Sequence, residues 1–201
     1  MAWIALDQDT FVRANNADLG ASWDAGYSTY LAHKIVSNQV NTTTAVTNES
    51  DETYALTLPP NCWAEITLAT WSAGANTNYA WVMLRAASPA TATWAQATVA
   101  RNDGSFTSKL EYRVAGASTA LTSENATTWA AGDVVRFELI DTTYRMYRNG
   151  TLLLSATDST ISGSGRAGFG IYCGTSGTDV GITPFRCGKI GSHFSSCGVG
   201  G

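Results

Sequence analysis

The sequence predicts an all-β chain folded as a two-sheet antiparallel β-sandwich. Three observations carry that reading. From Trp129 to Cys173, apolar and polar residues alternate: Val135, Phe137 and Leu139 against Val134, Arg136 and Glu138. A strand turns successive side chains to opposite faces, so one face here is apolar and the other charged. Next, Asn149-Gly150 sits between two such runs. Both residues tolerate the positive φ of a type I′ turn, which makes this pair a strong hairpin signal. Finally, no segment shows the 3.6-residue period of an amphipathic helix, and no internal repeat is visible. A length of 201 residues suits one sandwich domain, and 44% hydrophobic with 14% charged residues supplies a core without disorder.

The elements follow in order. Ile4 to Phe11 reads as a first strand, Asn15 to Asp18 as a turn, and Trp23 as a buried cap on the core. Gly26 to Tyr30 is a loop with two tyrosines, Tyr27 and Tyr30, expected to be exposed. His33 to Val40 is a short strand. The Thr/Asn-rich stretch after it carries two glycosylation sequons, at Asn41 and Asn48, which without a secretory signal have no weight. Thr53 to Leu58 alternates and stops at Pro59-Pro60. Cys62 to Trp71 puts Cys62, Ala64, Ile66 and Leu68 on one face and Trp63, Glu65, Thr67 and Ala69 on the other. Tyr79 to Ala86 sets Val82 and Leu84 opposite Trp81, Met83 and Arg85. Trp94 to Arg101 carries Gln96 and Thr98 on the Trp94 face, and Lys109 to Val114 sets Leu110, Tyr112 and Val114 opposite Lys109, Glu111 and Arg113. Each of these strands offers an apolar inner face and a polar-aromatic outer face, as a sandwich requires. After the Asn149-Gly150 hairpin, Thr151 to Ala156 returns, and Arg166 to Cys173 shares Ala167, Phe169 and Ile171 on one face.

The order of Gly132-Asp133, an alternating strand, a turn, a strand ending Tyr147-Arg148-Asn149-Gly150, a return strand and Gly168-Phe169-Gly170-Ile171-Tyr172 resembles the concanavalin A-like lectin/glucanase superfamily. The likeness is to its laminin-G-like and phage-encoded branches. Asp9-Thr10-Phe11-Val12-Arg13, Leu19-Gly20 and Trp23 look like the opening of many such domains, and Asp179 to Lys189 looks like the final strand returning beside the first. The resemblance spans about residues 7 to 190 and implies a jelly roll, with residues 1–190 as the domain and 191–201 as a Gly/Ser-rich tail. This fold hosts lectins, hydrolases and structural modules alike, so function rests on the site.

A net charge of -4 and a pI near 5.0 argue against nucleic acid or an anionic membrane as partner. No apolar run approaches the ~20 residues of a membrane span. The opening MAWIALDQDTF lacks the n-region and long apolar core of a signal peptide, so the chain is expected to be made in the cytoplasm. Glycoside hydrolysis needs two carboxyl groups about 5–9.5 Å apart. The superfamily's glucanases carry theirs in a Glu-x-Asp-x-x-Glu arrangement, which is missing. Glu138 and Asp141 cannot share a strand face, while Glu65 and Glu111 are expected on one outer sheet face without same-strand partners. His33 and His193 sit in no recognisable triad. No catalytic residue is therefore assigned.

Cys62, Cys173, Cys187 and Cys197 lack zinc-knuckle spacing, so buried thiols, or one Cys187–Cys197 disulfide formed after release from the cell, are expected and no metal site is assigned. Calcium is possible through loop acids Asp24, Asp103, Asp158 and Asp179, but no calcium-loop pattern is present; no other cofactor is expected. The candidate glycan- or partner-binding face is Trp63, Trp81, Arg85, Trp94, Gln96, Glu111 and Arg113, where rings would stack on sugars and polar groups bind hydroxyls. Such aromatics serve a protein interface equally well. Together these readings point to a non-enzymatic structural or adhesive module of a bacteriophage virion surface, of capsid-decoration or tail type, partnered by other virion proteins, copies of itself or a cell-surface glycan; a free carbohydrate-binding protein is the alternative, and a glycoside hydrolase the third reading. Phe194, Cys197 and Val199 are expected to anchor the tail on a neighbouring subunit, since a tail this poor in apolar surface cannot offset about 1–2 kcal/mol per residue of ordering cost alone.

Overall fold

Strands make up all the regular structure of the described residues, which are 2–25, 33–42, 50–72, 77–87, 92–102, 105–174 and 176–191 of a computed structural model. In chain order they are β1 (Ala2–Asp9), β2 (Trp23–Ala25), β3 (His33–Val36), β4 (Gln39–Thr42), β5 (Ser50–Leu58), β6 (Cys62–Trp71), β7 (Asn78–Ala86) and β8 (Trp94–Asn102). There follow β9 (Ser105–Val114), β10 (Ala117–Ala120), β11 (Val134–Ile140), β12 (Thr143–Arg148), β13 (Thr151–Thr157), β14 (Gly165–Cys173) and β15 (Val180–Gly191). They form two sheets with antiparallel pairing. The first runs β13-β12-β11-β6-β15-β4-β3, with β1 also paired to β15; the second runs β10-β9-β8-β7-β14-β5-β2. This is the expected jelly-roll sandwich.

The inner faces are those the alternation marks. Ala64, Ile66 and Leu68 of β6 and Val135, Phe137 and Leu139 of β11 pack against Val82 and Leu84 of β7, Ala97 and Val99 of β8, Leu110 of β9 and Phe169 of β14. At one end Trp23 gathers aromatic rings from both sheets, with centroids 4.9 Å from Tyr54, 5.0 Å from Phe169, 5.0 Å from Phe185 and 5.7 Å from Phe11. Its indole N–H donates to Asp9 Oδ2 at 2.9 Å, so the buried ring is also satisfied.

Some boundaries differ from expectation, each for a local reason. The first strand stops at Asp9, because Asp9 Oδ1 accepts the Phe11 amide at 2.8 Å and Phe11 turns into the core with φ 54°. The run His33 to Val40 is a hairpin, not one strand: Ser37 and Asn38 both take positive φ, 53° and 61°. A second unforeseen hairpin turns at Ala115-Gly116 and adds β10. Asn149 and Gly150 adopt the expected φ of 50° and 80°. Asn41, the first sequon residue, is fully buried and its amide donates to the Val180 carbonyl at 2.9 Å, so it is closed to modification. Tyr27, Tyr30, Asn48, Asp103, His193, Phe194, Cys197 and Val199 lie outside the described residues.

The Gly132-Asp133 step that opens the alternating strand has a physical role. Asp133 accepts from the Ala130 amide at 2.9 Å, from Arg148 at 2.7 Å and from Asn149 at 2.7 Å, which ties the 130–133 turn to the hairpin. Burial alone would raise this carboxyl, but the Arg148, Asn149 and Ala130 hydrogen bonds together hold it below its ordinary value. The ends of the sandwich meet: Ile4 pairs with Lys189 and Asp9 with Phe185.

Two outcomes follow from this packing. Phe137→Ala, at a fully buried position, should lose about 3–5 kcal/mol in urea unfolding; a loss under ~1 kcal/mol would mean the core is not as described. Asp133→Asn should lose roughly 1–3 kcal/mol at neutral pH. Because the folded carboxyl is held below its unfolded value near 3.8, that contribution is present above pH ~4 and is lost as pH falls through the folded value. Wild type and variant should then converge at low pH.

Candidate functional site

The outer face of the second sheet is the most elaborated surface of the sandwich. Trp81 lies flat across β14 at Gly170, where an added Cβ would fall 2.1 Å from the ring, and its N–H donates to Asp51 Oδ1 at 2.8 Å. One strand over, the Trp94 indole N–H donates to Gln96 Oε1. Gln96 Nε2 donates to Glu111 Oε1 at 2.7 Å, Thr98 donates to the same oxygen at 2.7 Å, and Lys109 Nζ sits 3.0 Å from Glu111 Oε2. The Arg113 guanidinium stands 5.5 Å from the Trp94 ring centroid, a cation–π spacing. Pairing of β8 with β9 puts Gln96 opposite Glu111 and Trp94 opposite Arg113, so register alone assembles the network.

Five of the seven sequence-derived face residues therefore come together: Trp81, Trp94, Gln96, Glu111 and Arg113. Two do not. Trp63 stands on the outer face of the first sheet, across the sandwich, where β6 pairs with β11. Arg85 takes φ 53° at an irregularity in the β7–β14 pairing, which breaks the alternation. Its guanidinium turns to the end of the sandwich and donates to the carbonyls of Pro60, Ile161 and Asp141, each at 2.7 Å. The exposure expected of the rings is also corrected. Trp81 is 2% and Trp94 0% exposed, because each packs flat on its sheet and against Met83 and Ala86. The accessible part of this face is its rim of half-buried Tyr79, Tyr172, Lys109 and Arg113, in which the two tyrosine rings meet edge to face at 5.4 Å.

The outer face of the first sheet holds a second polar-aromatic cluster that the sequence did not reveal. Arg136 is stacked between two indoles, 4.4 Å from Trp3 and 4.8 Å from Trp63. It also donates to Glu65 Oε2 at 2.9 and 2.7 Å, and Arg186 adds a bond to Glu65 Oε1 at 3.3 Å. Glu65 thus lies on the opposite side of the sandwich from Glu111, and the two do not share a face. Its carboxylate neighbour is Glu138, diagonal to it because Arg136 faces Glu65 and Glu138 faces Trp63. Burial pushes the Glu138 carboxyl up, against hydrogen bonds from Tyr147 and Trp3 and the nearby Arg136 and Arg145 charges that pull it down. At 1% exposure Glu138 is closed to a substrate, and Glu65 is held by two guanidiniums. Cross-strand register, which no sequence pattern displays, creates this pair.

The remaining candidates are occupied structurally. Asp24 pairs with Arg166, Asp158 caps the Thr160 amide at 2.7 Å and Asp179 caps the Ser176 amide at 3.0 Å. No group of three His, Cys, Asp or Glu is placed to hold a metal among the described residues. Cys62, Cys173 and Cys187 are buried free thiols, and burial pushes Cys62 and Cys187 up to about 12, far from the thiolate a metal needs. His33 is buried against Phe169, its Nδ1 3.4 Å from Glu52. Both line a pocket of about 380 Å³ with Asp18, Leu19 and Trp23.

No protein-family model and no curated protein matches the chain. Solved structures do. The carbohydrate-binding module CBM66 from Bacillus subtilis is 16% identical with a TM-score of 0.59, covering 84% of this chain and 98% of that one. The endo-β-1,3-glucanase from Pyrococcus furiosus is 11% identical with a TM-score of 0.61, covering 94% and 96%. A Bacillus subtilis protein of unknown function with a galectin-like fold is 10% identical with a TM-score of 0.57, covering 94% and 98%. At these identities the likeness is one of fold, the concanavalin A-like jelly roll of lectins and glucanases.

Glu138→Gln provides a test of the first sheet's outer face. A carboxyl whose folded value is raised favours the protonated form, so its contribution to stability is present below the unfolded value and is lost as pH rises from there through the folded value. The glutamine variant keeps an acceptor for Tyr147 and Trp3 and should be at least as stable as wild type at pH 7. Its advantage should vanish below pH ~4, where both side chains are neutral. A variant clearly less stable at pH 7 would show that the charge is needed.

Proposed function

We propose that this chain is a non-catalytic recognition module, structural or adhesive, carried at the surface of a bacteriophage virion and made in the host cytoplasm. One observation carries the non-catalytic part: the outer-face carboxylates Glu111 and Glu65 are held by their neighbours, and Glu138, whose Oε1 finds no hydrogen-bond partner among the described residues, is sealed at 1% exposure. Glu111 accepts from Gln96 and Thr98 and pairs with Lys109, and Glu65 is clamped by Arg136 and Arg186. Such groups hold shape, whereas a general acid or nucleophile needs a free oxygen near a substrate. The lectin-like fold supports recognition as the task. The half-buried rim of Arg113, Lys109, Tyr79 and Tyr172 supplies donors and ring edges above a rigid floor, the kind of surface that meets a glycan or a neighbouring protein. No cofactor enters this reading.

A free carbohydrate-binding protein is the second reading, favoured by the same rim. The two separate experimentally. Recovery of the chain in purified particles, with retention on a glycan array reduced by Arg113→Ala and Lys109→Ala, supports the virion adhesin. Retention on the array without any particle supports the free lectin. Absence from particles together with no glycan retained would overturn both. Incubation with β-glucans should release no reducing sugar; turnover abolished by Glu65→Gln, Glu111→Gln or Glu138→Gln would overturn the non-catalytic reading.

A further inference from the structure

Four of the six large apolar side chains left exposed among the described residues lie within a dozen positions: Trp3 at 52%, Ile4 at 41%, Leu6 at 43% and Val12 at 69%. Three of them are on β1. That strand pairs with β15 and, among the described residues, with nothing on its other edge. Free edges are usually blunted by Lys, Pro or an inward charge. β1 reads AWIALDQD: it has no Lys, Arg or Pro, and its inward charges, Asp7 bonded to Tyr54 and Asp9 bonded to Trp23, lie with its one register break, between Ala5 and Asp7, in its C-terminal half, so Ala2–Ala5 is left unguarded. Trp3 is also held rather than loose, with the Arg136 guanidinium 4.4 Å beneath it and a hydrogen bond to Glu138. A fixed, half-exposed indole on an open edge is a ready anchor for association.

We propose that β1 pairs with β1 of a second copy of this chain, antiparallel about a two-fold axis, joining the two first sheets into one continuous sheet. The strand is self-complementary in that arrangement. With the axis at Ile4, Trp3 of one copy faces Ala5 of the other, so a large side chain meets a small one on the outer face, and Ile4 meets Ile4 on the inner face. A two-fold axis perpendicular to the sheet keeps outer faces with outer faces, which this register obeys. The acids select the orientation. In the antiparallel pair Asp7 and Asp9 fall outside the apolar Ala2–Leu6 run, at opposite ends of the interface. A parallel pair would set Asp7 beside Asp7 and Asp9 beside Asp9, and like charges facing each other are destabilising. The inference stands apart from any glycan or virion role.

Sedimentation of the full chain tests it. Wild type should sediment as a dimer. Ile4→Lys places two like charges face to face on an exposed position, so it should weaken the dimer by about a hundredfold while leaving the circular-dichroism spectrum of the folded chain unchanged. Ile4→Cys should form a disulfide-linked dimer under mild oxidation, since directly opposed residues bring their Cβ atoms within about 5.5 Å. Leu152→Cys, 51% exposed on β13, should not. A wild-type monomer overturns the proposal, and so does a dimer that survives Ile4→Lys or that Ile4→Cys fails to crosslink.

Discussion

The sandwich depends on the aromatic packing around Trp23. Its ring touches Phe11 and Phe185, which belong to the first strand's exit and the last strand, and Tyr54 and Phe169, which belong to the second sheet. Five large rings from segments far apart in sequence thus bury one another, and each such pair adds about 0.5–1.5 kcal/mol beyond its area. Asp9 fixes the arrangement from outside. One carboxylate accepts the Trp23 indole, the Phe11 amide and the Arg13 guanidinium, so the ring cannot rotate without stranding buried donors. Chain ends that would otherwise fray are held together by this contact and by the β1–β15 pairing.

With the interior settled, both outer faces repeat one device. A glycine makes room on the neighbouring strand: at Gly170 for the flat Trp81 ring, and at Gly188 for the Ile4 carbonyl of β1, 2.1 Å from where a Cβ would stand, with Trp63 Nε1 next at 2.9 Å. Each ring then borders a charged network, Glu111 with Lys109 and Gln96 on one side and Glu65 with Arg136 and Arg186 on the other. Most polar groups of these faces are paired with one another, the exceptions among the described residues including Glu138 Oε1 and the Trp63 indole N–H, which are buried without a hydrogen-bond partner. Glu111 and Glu65 are the carboxylates these networks hold in place.

The edges of the sheets are treated unequally. β2, β3 and β10 are three, four and four residues long, which limits pairing with foreign strands, and the seven-residue β13 carries a register break in its pairing with β12. β1 has its register break and inward acids only beyond Ala5, and its unguarded N-terminal half concentrates the exposed apolar side chains. The exposed apolar side chains gathered on β1 single it out among the five edge strands as the one suited to the pairing proposed above.

Much of this was legible in the sequence. Period-two alternation identified the inner faces of β6, β8 and β11, because burial on one face is a strictly local pattern. Asn149-Gly150 announced its hairpin, since positive φ is a property of the residues themselves. The turns at Ser37-Asn38 and Ala115-Gly116 carry only half of that signal, since Asn38 and Gly116 favour positive φ while Ser37 and Ala115 do not. The candidate face was half legible: alternation shows which residues point outward, yet not which sheet they belong to. Trp63 and Trp81 look equivalent along the chain and end on opposite sides of the sandwich. Arg85 departs from alternation through an irregularity that only its pairing with β14 creates. Glu65 and Glu138 become neighbours through cross-strand register, and Trp94 becomes buried through packing across strands; both depend on contacts between distant segments. The sequence by itself determined the fold class and the polarity of each strand, because those follow from residue type and spacing. Tertiary structure alone decided which side chains meet and which remain open to a partner, because that depends on how strands pair.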